Sequence, residues 1–113
     1  MKIYHNPRCS KSRKTLSLIK EKNQKIEIIE YLKNNLTISE LENIINKLNM
    51  QPIDLVRKNE KIWKENLKKK KMSQQEIIKL MIKNPKIIER PIVVNGDQAV
   101  IGRPPENVLK IIN

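Results

Sequence analysis

The sequence of 113 residues is poor in several residue types, and its low cysteine content has the strongest consequence. Its one cysteine is Cys9. A single thiol cannot close an internal disulfide, so the fold needs no oxidising compartment. Any two-electron thiol chemistry must also take a second sulfur from another molecule.

Aromatic residues are scarce as well. The chain has no phenylalanine, one tryptophan and two tyrosines, which leaves little from which to build a base-stacking surface. The net charge of +12 would suit a nucleic-acid ligand, but 19 of the 24 basic residues are lysines in a chain that also has 19 isoleucines and 13 asparagines. Such a skew is typical of AT-rich coding, so we predict no nucleic-acid partner.

Long apolar runs are also missing. No run approaches the ~20 residues that cross a bilayer, and the first ten residues lack the apolar segment of a signal peptide. We therefore expect a cytoplasmic protein with no membrane partner. We also expect no metal site and no bound cofactor.

What the sequence does contain is an ordered alternation of strand and helix patterns. Ile3 and Tyr4 belong to a short alternating run that ends at Asn6 and Pro7, which predicts a strand followed by a tight loop. Apolar spacings of three and four then predict a helix from Ser10 to about residue 22, with Thr15, Leu16, Leu18 and Ile19 towards the core. Residues 25–31 alternate like a second strand.

The middle of the chain predicts a helical block at about residues 36–84. Thr37 to Glu40 and Ser73 to Glu76 both match the capping box that begins a helix. Apolar residues recur at helical spacing after each box: Leu41, Ile44, Ile45 and Leu48 after the first, and Ile77, Ile78, Leu80, Met81 and Ile82 after the second. The lysine run at residues 67–72 is typical of a solvated helix end or loop.

The last part of the chain predicts a hairpin and a short helix. Apolar runs flank Asn95, Gly96 and Asp97, a strong hairpin signal, and a proline-initiated helix follows at residues 105–112 with Val108, Leu109 and Ile112 buried. The order β-α-β, helices, β-β-α indicates an α/β fold with a mixed four-stranded sheet covered by helices. We expect a single domain over residues 1–113 and a monomer.

Cys9 lies where the first strand hands over to the helix, between Arg8 and Arg13 in the sequence. Its place in a loop, the positive charge of the arginines and the amides of a helix N-terminus all favour thiolate over thiol. The same amides can hold an anion, and Ser10 and Ser12 add hydroxyl donors. Cys9 is therefore predicted to be a nucleophile, although a lone cysteine can also be a small buried apolar residue, and the two serines can be simple helix caps.

The remaining arginines are Arg57, Arg90 and Arg103, each beside a predicted element boundary. A sequence that uses lysine almost everywhere has kept arginine at these positions, which favours a need for its planar bidentate fork over charge alone. Such forks suit tetrahedral oxyanions. Solvated loop arginines are the alternative interpretation.

Four ordered segments of the chain resemble a known family: IYHNPRCSKSRKTL, LVRKNE, NPKIIERPIVV and IGRPPENVL. The chain is similar across its length to the ArsC-type arsenate reductases coupled to glutaredoxin, and to the closely similar branch of that family that carries HNPRCSKSR. The resemblance implies a thioredoxin-like fold with an inserted helical block, and a cis-proline at Arg90-Pro91.

The same resemblance implies the chemistry of the site. It makes Cys9 the residue that attacks arsenic, and Arg57, Arg90 and Arg103 the residues that bind the oxyanion. Glutathione then displaces an arsenic-bound oxygen as co-substrate, and glutaredoxin resolves the adduct with release of arsenite. His5, beside the nucleophile, is implied to support the thiolate, or else to be structural.

One departure from the family keeps the substrate open between arsenate and a similar oxyanion. Many arsenate reductases follow the cysteine with glycine and threonine, where this chain has Ser10 and Lys11. The family is also similar to Spx-like regulators, thioredoxin-fold proteins that bind RNA polymerase without catalysis, but these carry C-x-x-C and do not need the oxyanion arginines. A monothiol glutaredoxin-like protein would not explain Arg57 and Arg103 either.

Overall fold

The structure is a computed structural model that describes residues 1–22, 24–69 and 71–112. The chain divides into two compact units, one made of Met1–Asn34 with Arg90–Asn113 and the other of Asn35–Glu89. The helical block predicted at about residues 36–84 lies within the second unit. No helix within the described ranges is long and apolar enough to cross a bilayer.

The first unit contains the sheet. Its strands are β1 (Lys2–Tyr4), β2 (Glu27–Ile29), β3 (Ile92–Asn95) and β4 (Gln98–Ile101). They lie in the order β2-β1-β3-β4, with β1 parallel to β2 and antiparallel to β3, and β3 antiparallel to β4. The predicted mixed four-stranded sheet is confirmed, although β2 is shorter than the predicted run at residues 25–31.

Helix α1 (Ser10–Glu21) joins the two parallel strands, as predicted. Thr15 and Ile19 are fully buried on its inner face, whereas Leu16 and Leu18 are half-buried. The predicted hairpin between β3 and β4 is also confirmed. Its loop is Gly96-Asp97, and Gly96 has φ +61, a conformation that glycine adopts without strain.

A small core fills one face of this sheet. Ile3 and Val93, which face each other on β1 and β3, pack with Ile19 of α1. Val108, in a C-terminal 3-10 helix at Pro105–Lys110, and Ile111, the residue just after that helix, complete the cluster. This core fixes α1 and the 3-10 helix on the same side of the sheet.

The burial pattern predicted for the C-terminal helix is partly wrong. Val108 is buried as predicted, but Leu109 is 42% exposed and Ile112 is half-buried, while Pro105 and Ile111 are buried. The prediction assumed an α-helix, whereas side chains in a 3-10 helix align every three residues. Buried positions 105, 108 and 111 follow that period.

The second unit contains α2 (Ile38–Leu48), α3 (Lys61–Lys69) and α4 (Gln74–Lys83), with 3-10 helices at Pro52–Leu55 and Pro85–Ile87. Both predicted capping boxes are present, at Thr37 with Glu40 and at Ser73 with Glu76. α2 packs against α4 through the predicted apolar faces. Buried on these faces are Leu41, Ile44, Ile45, Ile77, Ile78 and Met81, while Leu48, Leu80 and Ile82 are half-buried.

Two features of this unit are helix α3 and the lysine run at residues 67–72. Helix α3 was not predicted as a separate element. The lysine run at residues 67–72 lies partly outside the described residues because Lys70 is not among them. Lys71 is exposed, and the solvated character of the whole run stays a prediction.

Candidate active site

Three chain segments of the first unit meet at one edge of its sheet. β1 ends at Tyr4, which pairs with Ile92 at the start of β3, and the same Ile92 pairs with the end of β4. The residues that follow β1, precede β3 and follow β4 therefore emerge at one edge. This topology brings Cys9 together with Arg90 and Arg103.

The loop between β1 and α1 is held by Asn6. The Asn6 side-chain carbonyl accepts from the Arg8 N–H at 3.0 Å, and its backbone carbonyl accepts from the Cys9 N–H at 3.0 Å. The Cys9 carbonyl in turn accepts from the Arg13 N–H at 3.0 Å, so Cys9 is the residue that precedes α1. Its side chain thus stands beside the free amides of a helix N-terminus.

Cys9 is buried, with 8% of the residue exposed. Burial raises the pKa of the Cys9 thiol, but hydrogen bonds from the Ser12 N–H, the Arg90 side chain and the Lys11 N–H, with the positive charge of Arg90, lower it by more. The pKa therefore lies below the usual value of a cysteine. These are the conditions under which a thiolate nucleophile forms.

Two guanidinium groups stand at the sulfur. Arg103 Nη2 donates to Cys9 Sγ at 3.6 Å, and Arg103 Nε donates to the Arg90 carbonyl at 2.7 Å. Arg90 Nε is buried and has no hydrogen-bond partner among the described residues. The planar donors of these guanidinium groups can hold a tetrahedral oxyanion next to the Cys9 sulfur.

Both arginines precede a proline in a cis peptide bond. The cis bond at Arg90-Pro91 is the one implied by the family resemblance, while that at Arg103-Pro104 was not predicted. The Gly102 N–H donates to the Pro91 carbonyl at 2.9 Å, which ties the two segments together.

Gly102 is a structural residue of the site that the sequence reasoning missed. A Cβ at this position would meet the side chain of Thr15 on α1 and would lie 2.8 Å from Pro91 Cγ. Only glycine lets the segment that carries Arg103 pass so close to α1. The available signal was its rarity, since the chain has only two glycines and this one directly precedes Arg103.

His5 and Ser12 form a buried pair below the loop. The Ser12 hydroxyl accepts from the Asn6 N–H at 3.1 Å and lies 2.6 Å from His5 Nδ1. Burial lowers the pKa of His5, and the nearby Arg13 and Lys20 add to this, whereas Glu30 raises it; the net shift is downward. These two contacts hold the Ser12 hydroxyl between the loop backbone and the His5 ring.

Ser12 consequently contributes to the sulfur through its backbone N–H, and not through the hydroxyl that the sequence predicts as a donor. Ser10 is exposed at the start of α1. Arg13 is exposed, and its Nη1 donates to the Pro7 carbonyl at 2.9 Å, which braces the loop. The guanidinium groups placed at the sulfur come from the far end of the chain, whereas Arg8 and Arg13, its neighbours in sequence, are exposed.

Arg57 belongs to the second unit. Its N–H donates to the Ile87 carbonyl at 2.7 Å, next to the bridge between Val56 and Ile88. Arg57 is half-buried, and its Nη1 has no hydrogen-bond partner within the described ranges. The structure thus anchors the backbone of Arg57 and leaves donor capacity on its guanidinium. Its convergence with Cys9 stays a prediction.

The side chains that the structure places together here are the Cys9 thiol and the guanidinium groups of Arg90 and Arg103. Across residues 1–22, 24–69 and 71–112, no three histidine, cysteine, aspartate or glutamate side chains cluster closely enough to hold a metal ion.

Comparisons with known proteins identify the family of this chain. Residues 4–111 match the ArsC family. The chain is 46% identical to the uncharacterized protein YfgD of Escherichia coli K12, with 99% of this chain and 96% of that protein covered. It is 44% identical to an arsenate reductase of Haemophilus influenzae, with 97% of each chain covered.

A solved structure, the arsenate reductase from Vibrio cholerae, superimposes with a TM-score of 0.92 at 40% identity, covering 99% of this chain and 98% of that one. The thioredoxin-like fold implied by the sequence resemblance is thereby confirmed. This chain belongs to the ArsC family.

Proposed function

We propose that this chain is an arsenate reductase that reduces arsenate to arsenite with Cys9 as its nucleophile. The observation that carries the proposal is the sulfur itself: its pKa is lowered, and Arg103 Nη2 lies 3.6 Å from it. The relatives from Haemophilus influenzae and Vibrio cholerae, both named arsenate reductase, support arsenate as the oxyanion.

The arginines bind the oxyanion and orient it for attack. Arg103 is held by the Arg90 carbonyl, so its fork is preorganised, while the unused Nε of Arg90 offers a further donor. We assign Arg57 as a third donor, since its Nη1 is also unpartnered within the described ranges. Preorganised cations stabilise the negative charge on the arsenate oxygens as the sulfur attacks.

The electron balance requires two thiols. The Cys9 thiolate displaces one arsenate oxygen, which leaves as water after protonation, and forms a sulfur–arsenic bond. Reduction of arsenic(V) to arsenic(III) takes up two electrons, and two thiol sulfurs supply them by becoming one disulfide. Because the chain has one cysteine, the second sulfur comes from solution.

We assign glutathione as the second thiol and glutaredoxin as the protein that reduces the resulting mixed disulfide at Cys9. Since both electrons come from thiols, the reaction needs no bound cofactor and no metal. This scheme distinguishes the enzyme from a thioredoxin-fold regulator, for which a pair of arginines at the sulfur would have no use.

The test measures arsenite formed from arsenate, glutathione and glutaredoxin. The unmodified protein should turn over many times, and Cys9→Ser should be inactive. Arg90→Lys and Arg103→Lys should each lose at least about tenfold in kcat/KM, because lysine keeps the charge without the planar fork. Arg8→Lys, at an exposed arginine of the same loop, is the matched control and should stay close to wild type.

Two outcomes would contradict the proposal. One is the absence of arsenite with the unmodified protein under conditions in which a relative named arsenate reductase is active. The other is turnover by Cys9→Ser, which would remove the nucleophile from the mechanism.

A further inference from the structure

A surface groove runs along α1 in the first unit, and none of Cys9, Arg90 and Arg103 is among the residues that line it. Its cavity volume is about 390 Å³. Most of its lining comes from α1, where Ser10, Lys14, Ser17 and Glu21 succeed one another, and Glu106 contributes from the C-terminal 3-10 helix. A volume of this size is in the range that holds a small ligand.

The spacing of these residues gives the groove its direction. Positions 10, 14, 17 and 21 follow the three-and-four spacing of one helix face, so they form a stripe along α1. From Ser10 to Glu21 the helix rises by about 16 Å. Ser10, the residue that follows Cys9 in the chain, lies at one end of the groove. An extended tripeptide of about 10 Å fits within this length.

The charges in the groove are of both signs. Arg13 and Lys14 also line it near its Cys9 end, and Glu21 lies in the last turn of α1. Among the described residues, Lys14, Glu21 and Glu106 form no ion pair within 4 Å. The groove therefore offers cations and carboxylates that are not neutralising one another.

We infer that this groove binds the peptide part of the external thiol, a zwitterionic tripeptide of the glutathione class. Such a peptide carries carboxylates for Arg13 and Lys14, and one ammonium group for Glu21 or Glu106. Its thiol is directed towards Cys9 at the Ser10 end. The inference rests on the proposed function, because an external thiol is needed only if Cys9 performs this chemistry.

The size of the groove favours a small peptide over a protein. A stable protein–protein contact covers roughly 800 Å² on each partner, much of it apolar at the centre. Six of the eight residues that line the groove carry a charged or hydroxyl group, and Leu18 and Pro105 are the two apolar residues among them. Charge complementarity with a zwitterion is the better match.

The experiment uses S-methylglutathione, which has the charges of glutathione but no reactive thiol. Its binding to the intact protein is followed through the backbone amide NMR signals. The signals of α1 around Lys14 and Ser17 should shift with added ligand. Lys14→Glu should raise Kd roughly tenfold, because an attraction is replaced by a repulsion.

The matched control is Lys22→Glu, which makes the same change of charge at an exposed residue just after α1 that does not line the groove. Its Kd should stay within about twofold of wild type. Equal weakening by Lys14→Glu and Lys22→Glu would overturn the inference, since only the net charge would then matter.

The ligand provides a second test that does not depend on Lys14. N-acetyl-S-methylglutathione lacks the ammonium group and should bind the unmodified protein about fivefold more weakly. The variant Glu21→Gln with Glu106→Gln should bind both ligands with similar Kd, because the groups that recognise the ammonium are gone. A full preference for the ammonium form in this variant would overturn the inference.

These measurements separate the groove from the enzymatic function. S-methylglutathione cannot reduce arsenate, so its binding is measured whether or not arsenite is formed. Shifts confined to the segment around Arg90 and Pro91 would place the ligand elsewhere and overturn the inference. The inference would also be overturned if the NMR signals of α1 shifted on addition of glutaredoxin but not on addition of S-methylglutathione.

Discussion

At the scale of single residues, the properties of Cys9 result from opposing effects. Burial disfavours its thiolate, while two backbone N–H groups and Arg90 favour it. The sequence predicts the direction of the outcome, because a loop cysteine before a helix meets free amides. It does not reveal which cations reach the sulfur, since Arg90 and Arg103 lie more than eighty residues away along the chain.

The first prediction separates these distant arginines from the local ones. Arg90→Gln should raise the pKa of Cys9, because the variant loses a donor and a positive charge beside the sulfur. Arg8→Gln removes the same charge from an exposed position next to Cys9 in sequence and should change the pKa less. The measurement is thiolate absorbance near 240 nm against pH. A larger rise of the Cys9 pKa in Arg8→Gln than in Arg90→Gln would contradict this prediction, because the thiolate would then be stabilised mainly by the arginine next to it in sequence.

His5 gives a prediction about stability against pH. Its pKa in the folded protein lies below the usual 6.5, mainly because of burial, so the unfolded chain binds the proton more readily. The stabilisation from neutral His5 is therefore fully present above pH 6.5 and is lost as the pH falls through the folded pKa.

The free energy of unfolding in urea should thus fall between pH 7.5 and pH 5, and fall less steeply in His5→Gln, which cannot titrate. Glutamine still offers a polar partner to the Ser12 hydroxyl, so this variant is milder than alanine. Identical slopes for the two proteins would show that His5 is not the titrating group.

At the scale of elements, periodicity was a good guide where the helices are regular. The capping boxes at Thr37 and Ser73 begin helices as predicted, because side-chain and backbone groups satisfy each other locally. The C-terminal segment departs from the prediction because its backbone is a 3-10 helix, whose period of three buries Ile111 instead of Leu109 and Ile112. That choice depends on packing against the sheet, which no local pattern encodes.

Substitution of Gly102 tests whether the segment that carries Arg103 must pass close to α1 and Pro91. Gly102→Ala should lower the stability by about 1–3 kcal/mol, because the new Cβ overlaps Thr15 and Pro91. It should also lower kcat/KM for arsenate through displacement of the next residue, Arg103. Urea unfolding and arsenite formation measure the two effects.

Two variants control this experiment. Gly96→Ala is strained by its φ of +61 but meets no atom within 4 Å, so it should cost about 1 kcal/mol and leave kcat/KM unchanged. Thr15→Ala should relieve part of the Gly102→Ala defect in the double variant, since it removes the side chain that the new Cβ meets. Strictly additive losses in stability would contradict the overlap.

At the scale of the whole molecule, the positive charge suits the small anions that the proposed reaction consumes. The net charge is +12, and exposed lysines such as Lys11, Lys14 and Lys22 lie on or beside α1. Arsenate and the tripeptide thiol are both anionic near neutral pH, so a positive field raises their local concentration. The residue composition predicts this positive field. The strand order β2-β1-β3-β4 determines where Cys9 lies, because it brings the segments that carry Cys9, Arg90 and Arg103 to one edge of the sheet.

The single cysteine sets the final prediction, which concerns the stoichiometry of the chain as a whole. Without an added thiol, each molecule supplies one sulfur, so two chains must form an intermolecular disulfide to deliver two electrons. The yield should then be at most one arsenite for every two chains, accompanied by a disulfide-linked dimer on a non-reducing gel. Glutathione and glutaredoxin should restore continuous turnover, and rapid quenching with mass spectrometry should show glutathione joined to Cys9, directly or through arsenic, but not to Cys9→Ser. Continued turnover without any thiol would refute the one-cysteine mechanism, because no other residue of the chain can replace the missing sulfur.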